Sequence, residues 1–422
     1  MSTSWKKTFY ASFAAQLCSI TGFSLAMPFM AFYIRELGVT GDAAVARWAG
    51  IVNAAAAVTM AISAPIWGVV ADRFGRRLMV MRSMFGGAVV LVLMALTQNV
   101  YQLVACRMLQ GVLTGTIAAL LALVAAEAPR ERTGHALGMM QAAVFVGFAI
   151  GPLFGGQIAD ALLKVPAFAA GGMRYRALFA ASALFLLVGG LLVKFATHET
   201  FRPVVSSDRE ERGTFGQVFM ATGFVAAVLA LFMLRFANSV PAPIFALFVE
   251  RIHGATKGVD KVVGNVLGAG GLAAAAGAFV LGRVSDSWGH RRLLIVSSMF
   301  TGAVSAAYYF ATSVGHLYVL RILFGLGGGG ILPAANAIIR NTTHDKNIGK
   351  AYGVTASVGS IGWAVGPLTG GYLAGMAPGL GGLRLPFLVM GGGLLLAAFV
   401  VFRFVRPDGR SSANPHGGEP AQ

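Results

Sequence analysis

Charge is scarce in this sequence. Asp, Glu, Lys and Arg make up 12% of its 422 residues, about half of the ~25% usual in a soluble domain. Hydrophobic residues reach 56%, so soluble packing could not hide the apolar surface, and a polytopic membrane protein follows. Acids are scarcer still, 16 against 33 Lys and Arg, for a net charge of +17. In a soluble chain that excess would suggest nucleic acid, but no base-reading motif or aromatic platform accompanies it. The two cysteines, Cys18 and Cys106, lie inside apolar runs, which excludes a disulfide framework and reads as buried free thiols. All seven histidines fall in loops, at span ends or in the tail, and no metal is assigned. The sequence lacks a phosphate-cradling Gly-x-x-x-x-Gly-Lys loop, which argues against ATP drive. No nucleophile–base pair or metal cluster lies at membrane depth, which argues against an enzyme. No cofactor is expected.

What the chain does have is long apolar runs. Each membrane crossing needs about 20 residues, and twelve runs of that size occur: 9–34, 47–70, 78–97, 101–125, 134–160, 174–197, 217–249, 262–284, 293–312, 316–339, 350–375 and 384–405. Only helices satisfy their own backbone in lipid, and no ten-residue alternation suggests a barrel. Lys6 and Lys7 before the first run imitate a signal peptide, but the run is long and lacks a small-residue cleavage pattern, so a retained first span is expected. If the N-terminus is cytoplasmic, 21 Lys and Arg fall on that side and nine on the other. That asymmetry predicts cytoplasmic termini and a multi-pass plasma-membrane protein. Residues 198–216 form a polar linker between six-span bundles at 1–197 and 217–406, and the Pro-, Gly- and Ser-rich tail at 407–422 is expected to be disordered.

The two bundles are repeats. Asp72 and Asp286, Arg107 and Arg321, and Gly111 and Gly325 each stand 214 residues apart, and so do Glu36 and Glu250. Gly151-Pro152-Leu-Phe-Gly155-Gly156 returns as Gly366-Pro367-Leu-Thr-Gly370-Gly371 at a spacing of 215. An even number of spans per repeat preserves orientation, so the halves relate by an axis along the membrane normal.

These landmarks carry a family resemblance. Gly68-Val-Val-Ala-Asp72-Arg73-Phe-Gly75-Arg76-Arg77 resembles the loop signature after span two of the major facilitator superfamily, and Gly282 to Arg292, with Asp286, Arg291 and Arg292, is its second copy. Arg107-Met-Leu-Gln110-Gly111 resembles the span-four motif, and Leu25-Ala-Met-Pro28-Phe-Met-Ala-Phe-Tyr33 the span-one motif. Gly147-Phe-Ala-Ile-Gly151-Pro152-Leu-Phe-Gly155-Gly156 resembles the span-five motif of drug:proton antiporters. The resemblance implies an all-α protein of two six-helix bundles around a central cavity. It also implies export of drugs or other small amphipathic molecules by alternating access in exchange for protons, from a bacterial inner membrane, with a role in antibiotic resistance. Span five would pack at the interface between the halves.

The residues themselves add physical expectations. Gly68 and Gly75 permit close approach and a tight turn. Asp72, with Arg73, Arg76 and Arg77, can hold a cytoplasmic latch, with a weaker copy at Asp286, where Ser287 replaces the arginine; the alternative is a solvated loop. Glu127, Arg130, Glu131 and Arg132 could meet Arg340, Asp345 and Lys346 in the same charge lattice. Arg107, Arg235 and Arg321 lie inside spans, each at a cost of about 2.5–3.5 kcal/mol on insertion scales. Arg107 with Gln110 and Gly111 is assigned to coupling. Arg235 and Arg321, with Gln16, Gln141, Asn238, Asn336, Phe23, Met27, Phe145 and Trp363, form the candidate substrate cavity; packing is the alternative for each. The sequence places no carboxylate deep in a span. Glu36, Asp160 and Glu250 at outer span ends are the remaining proton-site candidates, unless they pair with a neighbour, here Arg35 or Arg251. A cavity with arginines and no acids should prefer anionic or zwitterionic small molecules. The alternatives to drug export are an organic-anion or metabolite exchanger and a substrate-sensing receptor. A monomer in the lipid bilayer is expected.

Overall fold

The computed structural model describes residues 4–169, 172–199, 224–342 and 348–405. The linker from 200 onward and the tail from 406 therefore lie outside the described residues, as do the side chains of Asp72 and Asp286. All regular structure among the described residues is helical. Among the described residues, ten helices are long and apolar enough to cross a membrane. Phe224–Ser239 continued by Phe245–His253, together with Ile348–Ala374, bring the spans to twelve.

The first half contains span 1 (Ser4–Ala26, then Met27–Phe29 and Met30–Glu36), span 2 (Asp42–Phe74), span 3 (Arg76–Ala95) and span 4 (Val100–Leu113 and Thr116–Glu127). Span 5 (Arg130–Leu163) and span 6 (Met173–Ala196) complete it. The second half has span 7 (Phe224–Ser239 and Phe245–His253), span 8 (Val259–Trp288), span 9 (His290–Ala307) and span 10 (Val314–Gly328 and Ile331–Thr342). Span 11 (Ile348–Ala374) and span 12 (Leu380–Phe404) close the chain.

The repeat is visible in local chemistry. Asn99 caps span 4 by accepting from the Gln102 amide, and Ser313, 214 residues later, caps span 10 by accepting from the His316 amide. Gly75 and Gly289, another pair at that spacing, both sit in the positive-φ region (93° and 90°) between consecutive spans. A side chain there would be strained, so the turn needs glycine. Span 1 is interrupted at Pro28, and span 7 at the corresponding stretch Val240–Ile244, which holds Pro241 and Pro243.

Spans 5 and 8, and spans 2 and 11, make the broadest contacts between the halves. Small residues allow it. A methyl group added at Gly156 of span 5 would collide with the Asp260 carbonyl and come within 3.0 Å of Gly264 Cα in span 8. In the same way, one at Gly371 of span 11 would strike the Ala46 carbonyl and crowd Gly50 of span 2. Without water between helices in lipid, such close backbone approach is what lets dispersion hold them together.

Candidate functional site

The end remote from the N-terminus is sealed by a reciprocal ion-pair lattice across the halves. Arg35, at the end of span 1, donates two parallel hydrogen bonds to Glu250 of span 7, at 2.8 and 2.9 Å. Arg251, the next residue in the second half, donates to Asp42 of span 2. Arg35 also reaches Asp42 at 3.5 Å. Glu250 thus pairs with Arg35, one of the two arginines expected, but across the halves rather than with its sequence neighbour Arg251, since adjacent residues on a helix do not face each other.

Beneath this lattice lies a carboxylate that sequence reasoning missed. Asp260, in the first turn of span 8, is only 2% exposed. The Tyr175 hydroxyl donates to it at 3.1 Å, and Arg174 stands 3.6 Å away, both from span 6 of the other half. Arg174 also donates to the Tyr175 oxygen at 2.7 Å. A cavity of 240 Å³ adjoins the group, lined by Phe32, Arg35, Glu36, Arg174, Tyr175 and Glu250, among others. Asp260 lies at the outer end of its span, in keeping with the absence of carboxylates deep in a span, but its burial there was not expected. Asp260 stands between Gly258 and Lys261 and reads as loop; its burial comes from span 5 crossing over it at Gly156.

The arginines inside the membrane differ from one another. Arg107 is 4% exposed and fully engaged. It donates to the Gln110 side chain at 2.5 Å, the Asn53 side chain at 3.2 Å and the Val52 carbonyl at 3.2 Å, and it touches the Met27 sulfur at 3.1 Å. No carboxylate is among these partners, so dipoles alone replace its hydration and tie span 4 to spans 1 and 2. Asn53 was missed because a lone amide in an alanine-rich run carries no pattern. Gly111 packs on span 2, where a side chain would collide with Thr59 and the Ala56 carbonyl. Arg321 lies against Gly270 and over the rings of Phe245 and Phe324, with its guanidinium carbon 5.1 and 5.8 Å from their centroids. Arg235 runs along Gly359 and Gly362 of span 11 and makes no hydrogen bond or ion pair among the described residues.

Around Arg235, Asn238 is exposed and donates to the Leu234 carbonyl at 2.7 Å, and Trp363 is exposed. Gln141, Asn336, Phe23 and Phe145 are half-buried. Gln16 is fully buried with neither amide atom hydrogen-bonded, and Met27 belongs to the Arg107 cluster.

The span-five motif serves two contacts rather than one. Gly147, Gly151 and Gly155, four residues apart on one face, pack on span 1 of the same half at Ile20, Ser24 and Leu25. Ser24 donates to the Gly147 carbonyl at 3.0 Å. Gly156, with Ala149, Pro152 and Leu153, faces the other half at span 8. Gly366, in the partner motif containing Pro367, meets Ser239 of span 7, and Ser239 donates to the Gly362 carbonyl at 3.1 Å, the repeat image of the first contact.

At the other end, the turn before span 3 is held by a residue first read as linker. The Glu199 carboxylate accepts from the Arg76 and Arg77 amides at 2.8 and 2.9 Å, capping a helix N-terminus where negative charge is favoured. The Arg77 guanidinium donates to the Val193 and Lys194 carbonyls of span 6, and Arg291 to the Val405 and Phe402 carbonyls after and within span 12. Arg73 is exposed over Phe74, and Arg292 is exposed. A side chain at Gly68 would meet nothing within 4 Å, so no close approach exists there in this conformation. Residues 343–347, and the side chains of Arg130 and Glu131, lie outside the described residues.

The sequence profile of the Major Facilitator Superfamily matches residues 12–233 and 227–422, one match per half. The chain belongs to that superfamily. As a facilitator, it is a transporter and not an enzyme, and it works on small molecules in the bilayer. Among curated proteins it is similar to "Multidrug resistance protein MdtG" of Citrobacter koseri, 31% identical over 405 residues, covering 95% of this chain and 96% of that one. The protein of the same name from Salmonella dublin is 32% identical over 408 residues, with 95% and 96% covered. Among solved structures, a bacterial homologue of the human lysosomal transporter Spinster, in an inward-facing and unoccupied conformation, superposes with a TM-score of 0.77. It is 16% identical, with 95% of this chain and 97% of that one covered, and shows the fold alone.

Proposed function

We propose that this facilitator exports drugs and other small amphipathic molecules by alternating access, in exchange for protons. The observation that carries the reading is the match along 95% of the chain to proteins named for multidrug resistance. The sealed end, with its lattice at Arg35, Glu250, Arg251 and Asp42, then faces the outer solution. The termini face the cytoplasm, as the Lys and Arg asymmetry predicts, and the membrane is the bacterial inner membrane. The working unit is a monomer, and the proton is the coupling ion. In this scheme the first-half turn at Asp72 to Arg77 and its copy at Asp286 to Arg292 are the joints that engage when the cytoplasmic end closes, and Arg107 with Gln110 transmits the state of span 4 to spans 1 and 2.

Arg235 supports a finer reading of the cargo. A guanidinium at membrane depth with no hydrogen-bond or ion-pair partner among the described residues favours a ligand that brings an anionic group, so zwitterionic and anionic members of a drug panel should move best. Flux into inverted proteoliposomes with an imposed pH gradient tests this, using ethidium, norfloxacin and carboxyfluorescein as cationic, zwitterionic and anionic probes. Movement of the cation alone would contradict the cargo assignment; no gradient-driven movement of any probe would contradict the function. The same guanidinium also favours a second reading, an exchanger of organic anions or metabolites. In that case transport survives collapse of the proton gradient but requires a counter-anion on the opposite side.

A further inference from the structure

The two crossings that join the halves are repeat images, yet they differ in chemistry. At one, Gly371 packs on Ala46; at the other, Gly156 packs on Asp260, and Ala46 and Asp260 stand 214 residues apart. Ala46 is 0% exposed and serves its crossing without any polar group. The crossing itself therefore does not need a carboxylate. In spans 6 and 12 the repeat spacing is 208, since Arg176 donates to the Thr97 carbonyl and Arg384 to the Ala311 carbonyl, so Arg174 and Tyr175 correspond to Gly382 and Leu383, neither of them polar. A charged cluster has been placed at one of two otherwise equivalent seams.

The cluster is poorly arranged to be a purely structural ion pair. Arg35 and Arg251 are already committed to Glu250 and Asp42. Arg174 makes no hydrogen bond to Asp260 and stands 3.6 Å off, while donating to Tyr175 and facing Glu36 across the cavity. Two more acids, Asp160 of span 5 and Glu250 of span 7, are close enough to act on Asp260 unfavourably, and Lys261 beside it is exposed. A carboxylate 2% exposed, with one hydroxyl donor and a cation at 3.6 Å that makes no hydrogen bond to it, loses water on closure that these two partners replace only in part.

We propose that Asp260 links closure of the outer end to a proton. With that end open, the carboxylate is hydrated and ionised. As the halves close, one Asp260 oxygen takes a proton from the outer water. Tyr175 keeps its hydrogen bond to the other oxygen, and Arg174 keeps its charge, served by Tyr175, cavity water and Glu36. While the outer end is closed the proton leaves to water on the cytoplasmic side, and reopening returns the ionised acid to the outer water. The inference rests on the proton-antiport reading above and supplies the acid that reading lacks.

The test reads gate position directly, independently of any drug. In a background of Cys18→Ala and Cys106→Ala, Val259→Cys places a thiol at a cavity-lining position that is 3% exposed when the end is closed. Its labelling by a membrane-impermeant maleimide is followed in right-side-out vesicles as the outer pH is lowered from about 8 to 5.5, after correction for thiolate ionisation against an exposed control thiol. A one-proton linkage changes the closed-to-open ratio by up to ~10-fold per pH unit, so labelling should slow severalfold. Asp260→Asn, fixed neutral, should label slowly at every pH, and Tyr175→Phe should shift the midpoint. An unchanged pH profile in Asp260→Asn overturns the inference; if that variant does not assemble, an unchanged profile in Tyr175→Phe does so. A parallel assay separates this from failure of the antiport reading. Asp260→Asn should still exchange the best-moved panel probe across the membrane but lose its gradient-driven accumulation. Accumulation equal to the parent protein overturns the role of Asp260, whereas absence of accumulation in the parent protein overturns the antiport reading itself.

Discussion

Arg35 and Glu250 come from different halves of the chain, 215 positions apart, and face each other with two parallel hydrogen bonds at one end of the molecule. Arg251 returns the contact to Asp42. The lattice therefore reports the relative position of the two bundles. In the proposed alternating-access cycle this contact forms and breaks at each turn, and its moderate strength suits that task.

Removing it should shift the conformational balance without unfolding either bundle. Arg35 is 39% and Glu250 16% exposed in their side chains, and partly exposed pairs contribute about 1 kcal/mol, equivalent to about fivefold in a two-state ratio. Glu250→Ala should raise impermeant-thiol labelling of Val259→Cys about fivefold. The charge-reversed pair Arg35→Glu with Glu250→Arg should bring labelling back toward that of the parent.

Glycine positions should separate into two classes. Gly156→Ala forces a methyl group into the Asp260 carbonyl, an overpacking expected to cost roughly 1–3 kcal/mol, here by prising spans 5 and 8 apart. Transport should fall at least tenfold, with a lower melting temperature in detergent. Gly68→Ala adds a methyl group into open space, so its melting temperature should match the parent. Any loss of transport there would report a different conformation, in which Gly68 is crowded.

Arg107 should tolerate neither neutralisation nor lysine. Its four contacts diverge to Gln110, Asn53, Val52 and Met27, a geometry that a planar fork meets and a point-charge ammonium does not. Arg107→Lys and Arg107→Gln should both reduce flux more than tenfold at normal membrane levels. Asn53→Ala and Gln110→Ala should each give a smaller loss, and the double variant less than the sum of the two, since both serve one guanidinium.

The cap at the cytoplasmic turn gives a stability prediction. Glu199→Ala leaves the Arg76 and Arg77 amides without their carboxylate, a loss of roughly 1 kcal/mol for a helix N-cap. Thermal unfolding should begin several degrees lower, with Glu199→Gln between the two. Equal melting curves for all three proteins would show that solvent replaces the carboxylate without cost.

Much of this architecture was legible because the repeat is written twice. The 214-residue register of Asp72 with Asp286 and Arg107 with Arg321 gave six spans per half, and the caps at Asn99 and Ser313 keep it in local detail. The glycines of span 5 could be read as a small-residue face but not assigned a partner, since nothing in Gly147, Gly151 or Gly155 states which helix lies opposite. Asp260 and Glu199 were obscured for a related reason. Both sit beside polar or charged neighbours, and the partners that define them arrive from distant chain: Gly156 and Tyr175 for the first, the Arg76–Arg77 turn for the second. Burial created by tertiary crossing leaves no local periodicity to detect.

The central claim, that drug export runs in exchange for protons, is tested most directly by reciprocal driving. Proteoliposomes of known orientation are prepared with equal pH on both sides and clamped at zero membrane potential. The panel probe with the fastest exchange is then added on the cytoplasmic face alone, and internal pH is followed with a trapped dye. The account predicts that the drug gradient drives protons in the opposite direction at a rate proportional to drug flux, and that empty liposomes show no such movement. Drug flux through the protein with no accompanying proton movement would contradict it.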